Sequence, residues 1–193
     1  MVELNIKLDE SRLPEWMRTG ARIPDKIFDN ALKHAAMKGI NKARTETKKE
    51  VADLYTLPSS VVHKTSDTKY SGDGALMNLD KVGNMFTDFK GVKTKKTALG
   101  ASGRNLYPTI VEIKQGNTFS HDRILAGTMQ KNQKKIGVYK KDANRRNVFR
   151  RYFGASTRGI FNANENVTKP VVDAAMNMFY KEFERLVERD LFK

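Results

Sequence analysis

The strongest constraint on this chain lies in its closing segment. Between residues 166 and 193 the apolar side chains Val172, Ala175, Phe179, Phe183, Leu186 and Val187 recur three or four positions apart. A stripe of that period is buried only when a helix is laid against another element. Thr168 is placed to cap this helix, and Pro170 fits its first turn, where a missing N–H costs nothing. The same period governs residues 25–55, through Phe28, Leu32, Ala36, Ile40, Ala43, Val51 and Leu54. Asp25 complements the dipole at the start of that helix, and Leu57-Pro58 marks its end. Two long amphipathic helices therefore need a common surface to cover.

A small antiparallel sheet supplies that surface. Residues 107–114 read as a strand, since Ile110, Val111 and Ile113 are β-formers and Gln115-Gly116-Asn117 offers a turn. Residues 124–129 and 135–139 read as two further strands, with 130–134 as the turn between them. The opening Val2, Leu4, Ile6, Leu8 alternation is a short strand with one buried face, or equally an arm that pairs with a neighbouring subunit's sheet edge. Pro14, Gly20 and Pro24 make residues 9–24 a linker in which Trp16 needs a packing site. Ser59 or Ser60 is expected to cap a short helix near Val61-Val62. Residues 65–105, rich in glycine and polar side chains, read as strand fragments and a long exposed loop.

The predicted fold class is α+β: a small antiparallel sheet packed against two long helices, with a long loop and an N-terminal arm. With 193 residues, two full domains would be cramped. The organisation expected is an arm and linker over 1–24 and a single α+β domain over 25–193, its long loop at about 65–105.

Composition removes several function classes. There is no cysteine, so neither a disulfide framework nor a Cys-ligated metal site is available. The N-terminus lacks the basic and apolar regions of a signal peptide, and no stretch approaches the ~18 apolar residues of a membrane span. His34, His63 and His121 fall in separate elements without metal-motif spacing. Asp67, Asp73, Asp80 and Asp88 are scattered through the loop region as solvated acids, although hard oxygen ligands of this kind suit Mg²⁺ in a nuclease. Ser102-Gly103-Arg104 and Gly72-Asp73-Gly74 lack the spacing of a phosphate loop or nucleophile elbow. The expectation is a non-enzyme with no cofactor and no metal.

Charge is more informative. The net charge of +14 points to nucleic acid, an anionic surface or an acidic protein partner. Lys131, Lys134, Lys135, Lys140, Lys141, Arg145, Arg146, Arg150 and Arg151 face the single acid Asp142 in sequence, with Tyr139, Phe149, Tyr152 and Phe153 among them. Such a mixture can hold phosphates by charge and stack bases on rings. The plainer alternative places the aromatics in the core and the cations against an acidic partner. Lys90, Lys93, Lys95 and Lys96 form a second cluster with the same two readings. Arg44, Lys48 and Lys49, mixed with Glu46 and Glu50, are a solvated helix face or a charged contact with another subunit.

The order of these features resembles the minor tail protein Z family of lambda-like phages and prophages. The helix from Asn30-Ala31-Leu32 through Ala35-Ala36 to Asn41-Lys42-Ala43-Arg44-Thr45 is similar to the family's alanine-rich opening helix. It continues through a basic stretch into Tyr55-Thr56-Leu57-Pro58-Ser59-Ser60-Val61-Val62, as the family's does. Asn105-Leu106-Tyr107-Pro108-Thr109-Ile110 resembles its proline-opened strand. A hairpin, a basic Arg150-Arg151-Tyr152-Phe153-Gly154-Ala155-Ser156 element and a long charged helix follow, so that the likeness covers about residues 28–193. Arg123-Ile124-Leu125-Ala126-Gly127-Thr128-Met129 stands where the family tends to carry Gly-Ala-Phe-Ile, and the first 27 residues have no counterpart.

The resemblance implies a tail-completion protein that forms a ring, most often sixfold, at the head–tail junction of a virion. It implies assembly in the host cytoplasm, contacts with the tail terminator or tail tube and with head-completion or connector proteins, and no membrane partner. The genomic DNA end or the tape-measure protein would pass close by. The competing expectation is a sequence-nonspecific nucleic-acid-binding protein that uses the basic stretch 131–151.

Overall fold

A computed structural model describes residues 3–6, 8–19, 23–71, 74–80, 83–84, 89, 91–94, 105–128, 137–141, 148–151 and 153–192. Its spine is a pair of helices, α2 (Asp25–Leu54) and α5 (Glu165–Leu191), packed along each other. Three shorter helices accompany them: α1 (Glu15–Thr19), α3 (Ser59–Lys64) and α4 (Thr157–Asn162).

The α2 seam is made of small residues. Ala31, Ala35, Ala36, Gly39 and Ala43 are buried together with Ile40, Thr47 and Val51, while the predicted Phe28, Leu32 and Leu54 are only half-buried. From α5 come the large side chains Phe179, Phe183, Leu186 and Val187, with Val167, Val171 and Ala175. A Cβ at Gly39 would lie 3.0 Å from the Ala175 carbonyl oxygen, 3.1 Å from Phe179 Cβ and 2.9 Å from Ile6 Cδ1. The absent side chain is therefore what lets the helices meet here. Phe28 flanks the seam, edge-on to Phe183 at 5.4 Å between ring centres.

Caps differ from expectation in two places. Asn164, not Thr168, caps α5, its side-chain oxygen accepting from Asn166 N at 3.2 Å. Thr168 turns its hydroxyl to the carbonyl oxygens of Phe161 and Asn164 instead. The helix thus begins earlier than predicted, and Pro170 lies in its second turn, where it removes the intrahelical bond to the Asn166 carbonyl. At α3 the residue before the helix is Pro58, and neither Ser59 nor Ser60 caps it because both already lie inside it.

The chain forms two antiparallel sheets where one was predicted. The smaller has β1 (Glu3–Ile6), β2 (Ser66–Ser71) and β3 (Gly74–Leu79) in the order β1-β3-β2, with Ala75, Met77 and Leu79 buried at alternate positions. Of the two roles open to the N-terminal strand, the structure shows the first: Glu3 to Ile6 pair with Asn78 to Ala75 of the same chain. Residues beyond it are docked as well. Asp9 N donates to the Tyr180 hydroxyl of α5 at 3.0 Å, Leu13 and Met17 are buried, and Trp16 lies 6.4 Å from the Phe192 ring.

The larger sheet is a meander, β4-β5-β6-β7-β8, made of β4 (Gly91–Thr94), β5 (Asn105–Lys114), β6 (Asn117–Thr128), β7 (Gly137–Lys141) and β8 (Phe149–Arg151). Gly116, with φ of 75°, makes the β5–β6 turn. The register shifts between Pro108 and Ile110, beside a proline that has no N–H for the ladder. The predicted hairpin corresponds to β6 and β7, and its turn at 130–134 lies outside the described residues. The span 65–105 holds β2, β3 and β4, so its strand fragments serve both sheets.

The end of α2 ties the helices to the larger sheet. A helix leaves its last carbonyls without intrahelical donors. Here Gln115 N donates to the Leu54 carbonyl at 3.1 Å and Gln115 Nε2 to the Ala52 carbonyl at 2.9 Å. Thr56 Oγ1 donates to the Glu112 carbonyl at 2.5 Å. At the other end of the meander, Gly154 N donates to the Asn84 carbonyl at 2.8 Å, and Asn84 Nδ2 donates to Ala155 O at 2.9 Å. A Cβ at Gly154 would meet Phe89 Cε2 at 2.6 Å, so the absent side chain leaves room for the Phe89 ring.

Candidate polyanion-binding surface

The two halves of the fold carry different charge. Residues 81–156, which contain the whole five-stranded sheet, hold seventeen Lys and Arg against four acids. The remaining residues, which form the helices and the smaller sheet, hold nineteen against eighteen. Nearly the entire excess of +14 thus belongs to the segment of the larger sheet.

Within the neutral half, cations find carboxylates at close range. Glu182 is buried in the α2–α5 seam, and its Oε1 accepts from Lys38 Nζ of α2 at 2.9 Å. Arg185 donates to both of its oxygens, at 2.8 and 3.0 Å. Those bonds, Arg185's first, outweigh desolvation and hold the carboxyl at about 2. Lys42 reaches Glu46 at 2.6 Å, one turn along α2, and draws the Glu46 pKa down. Arg44 has a structural post: its guanidinium donates to the carbonyls of His63 and Ser66 at 2.8 and 2.7 Å and to Ser66 Oγ at 3.0 Å. Its charge, followed by that of Lys48, depresses the pKa of the exposed His63. The predicted basic face of α2 is thus partly spent inside the fold.

The basic half has too few acids to be neutralised in this way. Four of the nine predicted contacts come together on one ladder, β7–β8, where the register sets Lys140 opposite Arg150, Tyr139 opposite Arg151 and Lys141 opposite Phe149. Opposed residues on an antiparallel pair have Cβ atoms about 5 Å apart, and like charges so placed destabilise the pair. Arg150 is exposed on β8, the edge strand. Lys131, Lys134, Lys135, Arg145 and Arg146 lie outside the described residues. Lys93 falls on β4, the opposite edge of the same sheet, four strands or roughly 19 Å from β8. Lys90, Lys95 and Lys96 lie outside the described residues.

The interleaved aromatics separate. Tyr139 is only 7% exposed and belongs to the interior, as the plainer reading had it, whereas Phe153 is 45% exposed just beyond β8. Tyr152 lies outside the described residues. Sequence reasoning overlooked Lys114, at the end of β5 with its ammonium 5.8 Å above the Tyr55 ring, and Arg123 of β6. Net charge summed over the whole of 81–156, rather than over runs of cations, is the signal that finds both.

Among the described residues no three His, Asp or Glu side chains gather as a metal site, and His34 and His63 are exposed. Asp73, Asp88 and Ser102-Gly103-Arg104 lie outside the described residues. A cleft of about 350 Å³ opens among Glu10, Ser11, Leu13, Met17, Arg18 and Phe28. No helix among the described residues is long and apolar enough to cross a membrane. Comparison of the chain with protein-family models, with curated proteins and with solved structures finds no match.

Proposed function

We propose that this chain is a structural subunit of a tailed-phage virion, a tail-completion protein that forms a ring at the head–tail junction and acts by shape and charge without catalysis. The carrying observation is the partition of charge between a near-neutral remainder, which forms the helices and the smaller sheet, and the strongly basic segment 81–156 that carries the larger sheet. A subunit lining a channel for DNA needs those two parts: a scaffold that packs against its neighbours, and one surface that tolerates a polyanion. The order of elements that the sequence shares with the minor tail protein Z family supports the same reading.

Ring closure requires a heterologous interface, one patch of each subunit meeting a different patch of the next. Because β1 is committed to β3 in its own chain, strand addition by a neighbour falls to the outer edges of β1, β2, β4 and β8. The partners above and below would be the connector or head-completion proteins and the tail terminator or tail tube. Cryo-electron microscopy of the virions tests this. Several copies around the axis between head and tail tube are expected, and absence of the chain from intact particles would overturn the proposal.

The partition of charge also favours a second reading, a monomeric sequence-nonspecific nucleic-acid-binding protein. It predicts full activity from the free subunit and no fixed place in the particle.

A further inference from the structure

We infer that the N-terminal segment, residues 3–19, is an exchangeable arm: in an assembly it leaves the groove of its own subunit and takes the same seat in a second copy of this chain. The seat is the apolar groove of α2, α5 and β3. Its place in a particle rests on the ring reading, while its chemistry stands on the arm and the groove alone.

Three observations converge. The first is that the arm supplies contacts but has no core of its own. Ile6, Leu13 and Met17 are buried, and all three join the apolar cluster that Ala35, Met77, Phe179 and Phe183 belong to. Ile6 covers the point where Gly39, Ala175 and Phe179 converge, its Cδ1 2.9 Å from where a Gly39 Cβ would stand. A segment this short lies far below the roughly 40 residues at which a chain sustains a core unaided. The groove, for its part, is apolar and needs a cover.

The second is that the contacts fixing the arm are indifferent to which copy supplies it. Glu3 to Ile6 pair with Asn78 to Ala75. Asp9 N donates to the Tyr180 hydroxyl at 3.0 Å, and that hydroxyl lies 3.3 Å from the Asp9 carbonyl oxygen. The Arg12 guanidinium stands 5.7 Å above the Tyr180 ring. An arm from another copy makes every one of these contacts in the same register, so exchange keeps the β1–β3 pairing and adds a link between subunits. The link is heterologous, arm of one copy on groove of the next, as closure of a ring requires.

The third lies at the connection. Gly20, Ala21, Arg22, Ile23 and Pro24 join the arm to α2. Pro24, with φ of −56° and ψ of 133°, enters the helix from an extended conformation that its ring favours. Five extended residues span about 17 Å, more than the roughly 8–10 Å between the axes of packed helices. Met17 and Arg18 precede this connection and Phe28 follows it, and between them a cleft of about 350 Å³ stays open. The seat is therefore least filled where the chain must fold back on itself, a constraint that exchange lifts.

The test is disulfide trapping, for which a chain without cysteine gives no background. Asn5 of β1 and Leu76 of β3 are opposed in the register, and residues so placed are close enough for a disulfide. Full-length Asn5→Cys and a size-tagged Leu76→Cys are mixed, refolded together from urea so that slow opening cannot hide exchange, and equilibrated in a glutathione redox buffer. A disulfide-linked heterodimer is expected, its yield rising with protein concentration. Asn5→Cys mixed with Asn177→Cys, an exposed position of α5, is expected to give none. The double variant Asn5→Cys/Leu76→Cys is expected to close within one chain when dilute and to form linked multimers when concentrated.

The exchange is refuted if the mixed single variants give no more heterodimer than the Asn177→Cys control, or if the double variant oxidises only to monomer at every concentration. Should the Asn5–Leu76 pair fail to oxidise within one chain, Glu3→Cys with Asn78→Cys, the next opposed pair on that face of the sheet, gives the same reading. A chain that occupies the virion neck but never cross-links between copies keeps the ring reading and loses the arm exchange. A chain that exchanges arms but is absent from virions does the reverse.

Discussion

Replacing Gly39 by alanine sets two opposed effects against each other at the middle of the helix pair. Alanine in a helix interior is favoured over glycine by about 1 kcal/mol, because the unfolded glycine has more freedom to lose. The added methyl, however, would stand 3.0 Å from the Ala175 carbonyl oxygen, 3.1 Å from Phe179 Cβ and 2.9 Å from Ile6 Cδ1. The last of these is the tip of a flexible side chain and can rotate away. The first two belong to the body of α5 and recede only if that helix moves, and α5 is fixed by Val171, Ala175, Phe179 and Phe183, all buried. Overpacking of this kind costs about 1–3 kcal/mol, and with a backbone atom among the neighbours the upper half applies. The net expectation is a destabilisation of about 1–2 kcal/mol, or a Tm lower by about 3–6 °C for a chain of this length. Urea titration followed by circular dichroism reads this as a lower midpoint with an unchanged slope. Ile6→Val, which deletes Cδ1, should relieve only a minor share of the cost when combined with Gly39→Ala. A Gly39→Ala protein as stable as the parent, or full relief by Ile6→Val, would refute the claim that α5 sets the limit.

Three further expectations follow from other contacts in the fold. Because the folded Glu182 pKa is depressed from 4.5 to about 2, its stabilisation is complete above pH 4.5 and is lost as pH falls from there toward 2. The full shift corresponds to about 3 kcal/mol, but Lys38 and Arg185 are 58% and 51% exposed and screened by water, so Glu182→Gln should remove about 1 kcal/mol of acid-sensitive stability in pH-dependent urea titrations. Arg44→Ala strips three hydrogen bonds from the α3–β2 corner and should cost about 2 kcal/mol by thermal melting, while NMR titration should show the His63 pKa moving back up. Asn164→Ala removes the α5 cap and should cost about 1 kcal/mol, read as a lower melting temperature.

The helices were legible in the sequence because their period repeats over many turns. The α2 boundary at Asp25 and the strand around Ile110 to Ile113 fall where propensity puts them. What misled was local. Phe28 and Leu32 draw attention as the apolar stripe of α2, yet the deepest line runs through Ala31, Ala35 and Gly39, because the partner helix supplies the bulk. Thr168 and Pro170 look like a helix start, but Asn164, placed by the α4–α5 connection, starts it sooner. The smaller sheet was hidden because β2, Ser-Asp-Thr-Lys-Tyr-Ser, carries no apolar alternation and owes its place to pairing with β3. Basic runs were legible as candidates, but a linear run cannot show that Lys140 faces Arg150 or that Tyr139 turns inward.

That last contrast bears on what the two sheets are for. Both are antiparallel, and both are tied to α2, one through the small-residue seam around Gly39 and Ile6 and the other through Gln115 at the helix end. Their electrostatics differ sharply. In the body, the half-buried Arg44 and Lys42 and the more exposed Lys38 have acids or carbonyls assigned to them within the chain. Self-repulsion there is small, and packing decides stability. In residues 81–156, which carry the larger sheet, the cations exceed the acids by thirteen, and the register sets Lys140 opposite Arg150. A chain needing only to fold would scatter that charge over the surface. Concentrating it in residues 81–156 leaves the helices and the smaller sheet with nineteen Lys and Arg against eighteen acids, so the packing of α2 on α5 is not set against a net charge of its own.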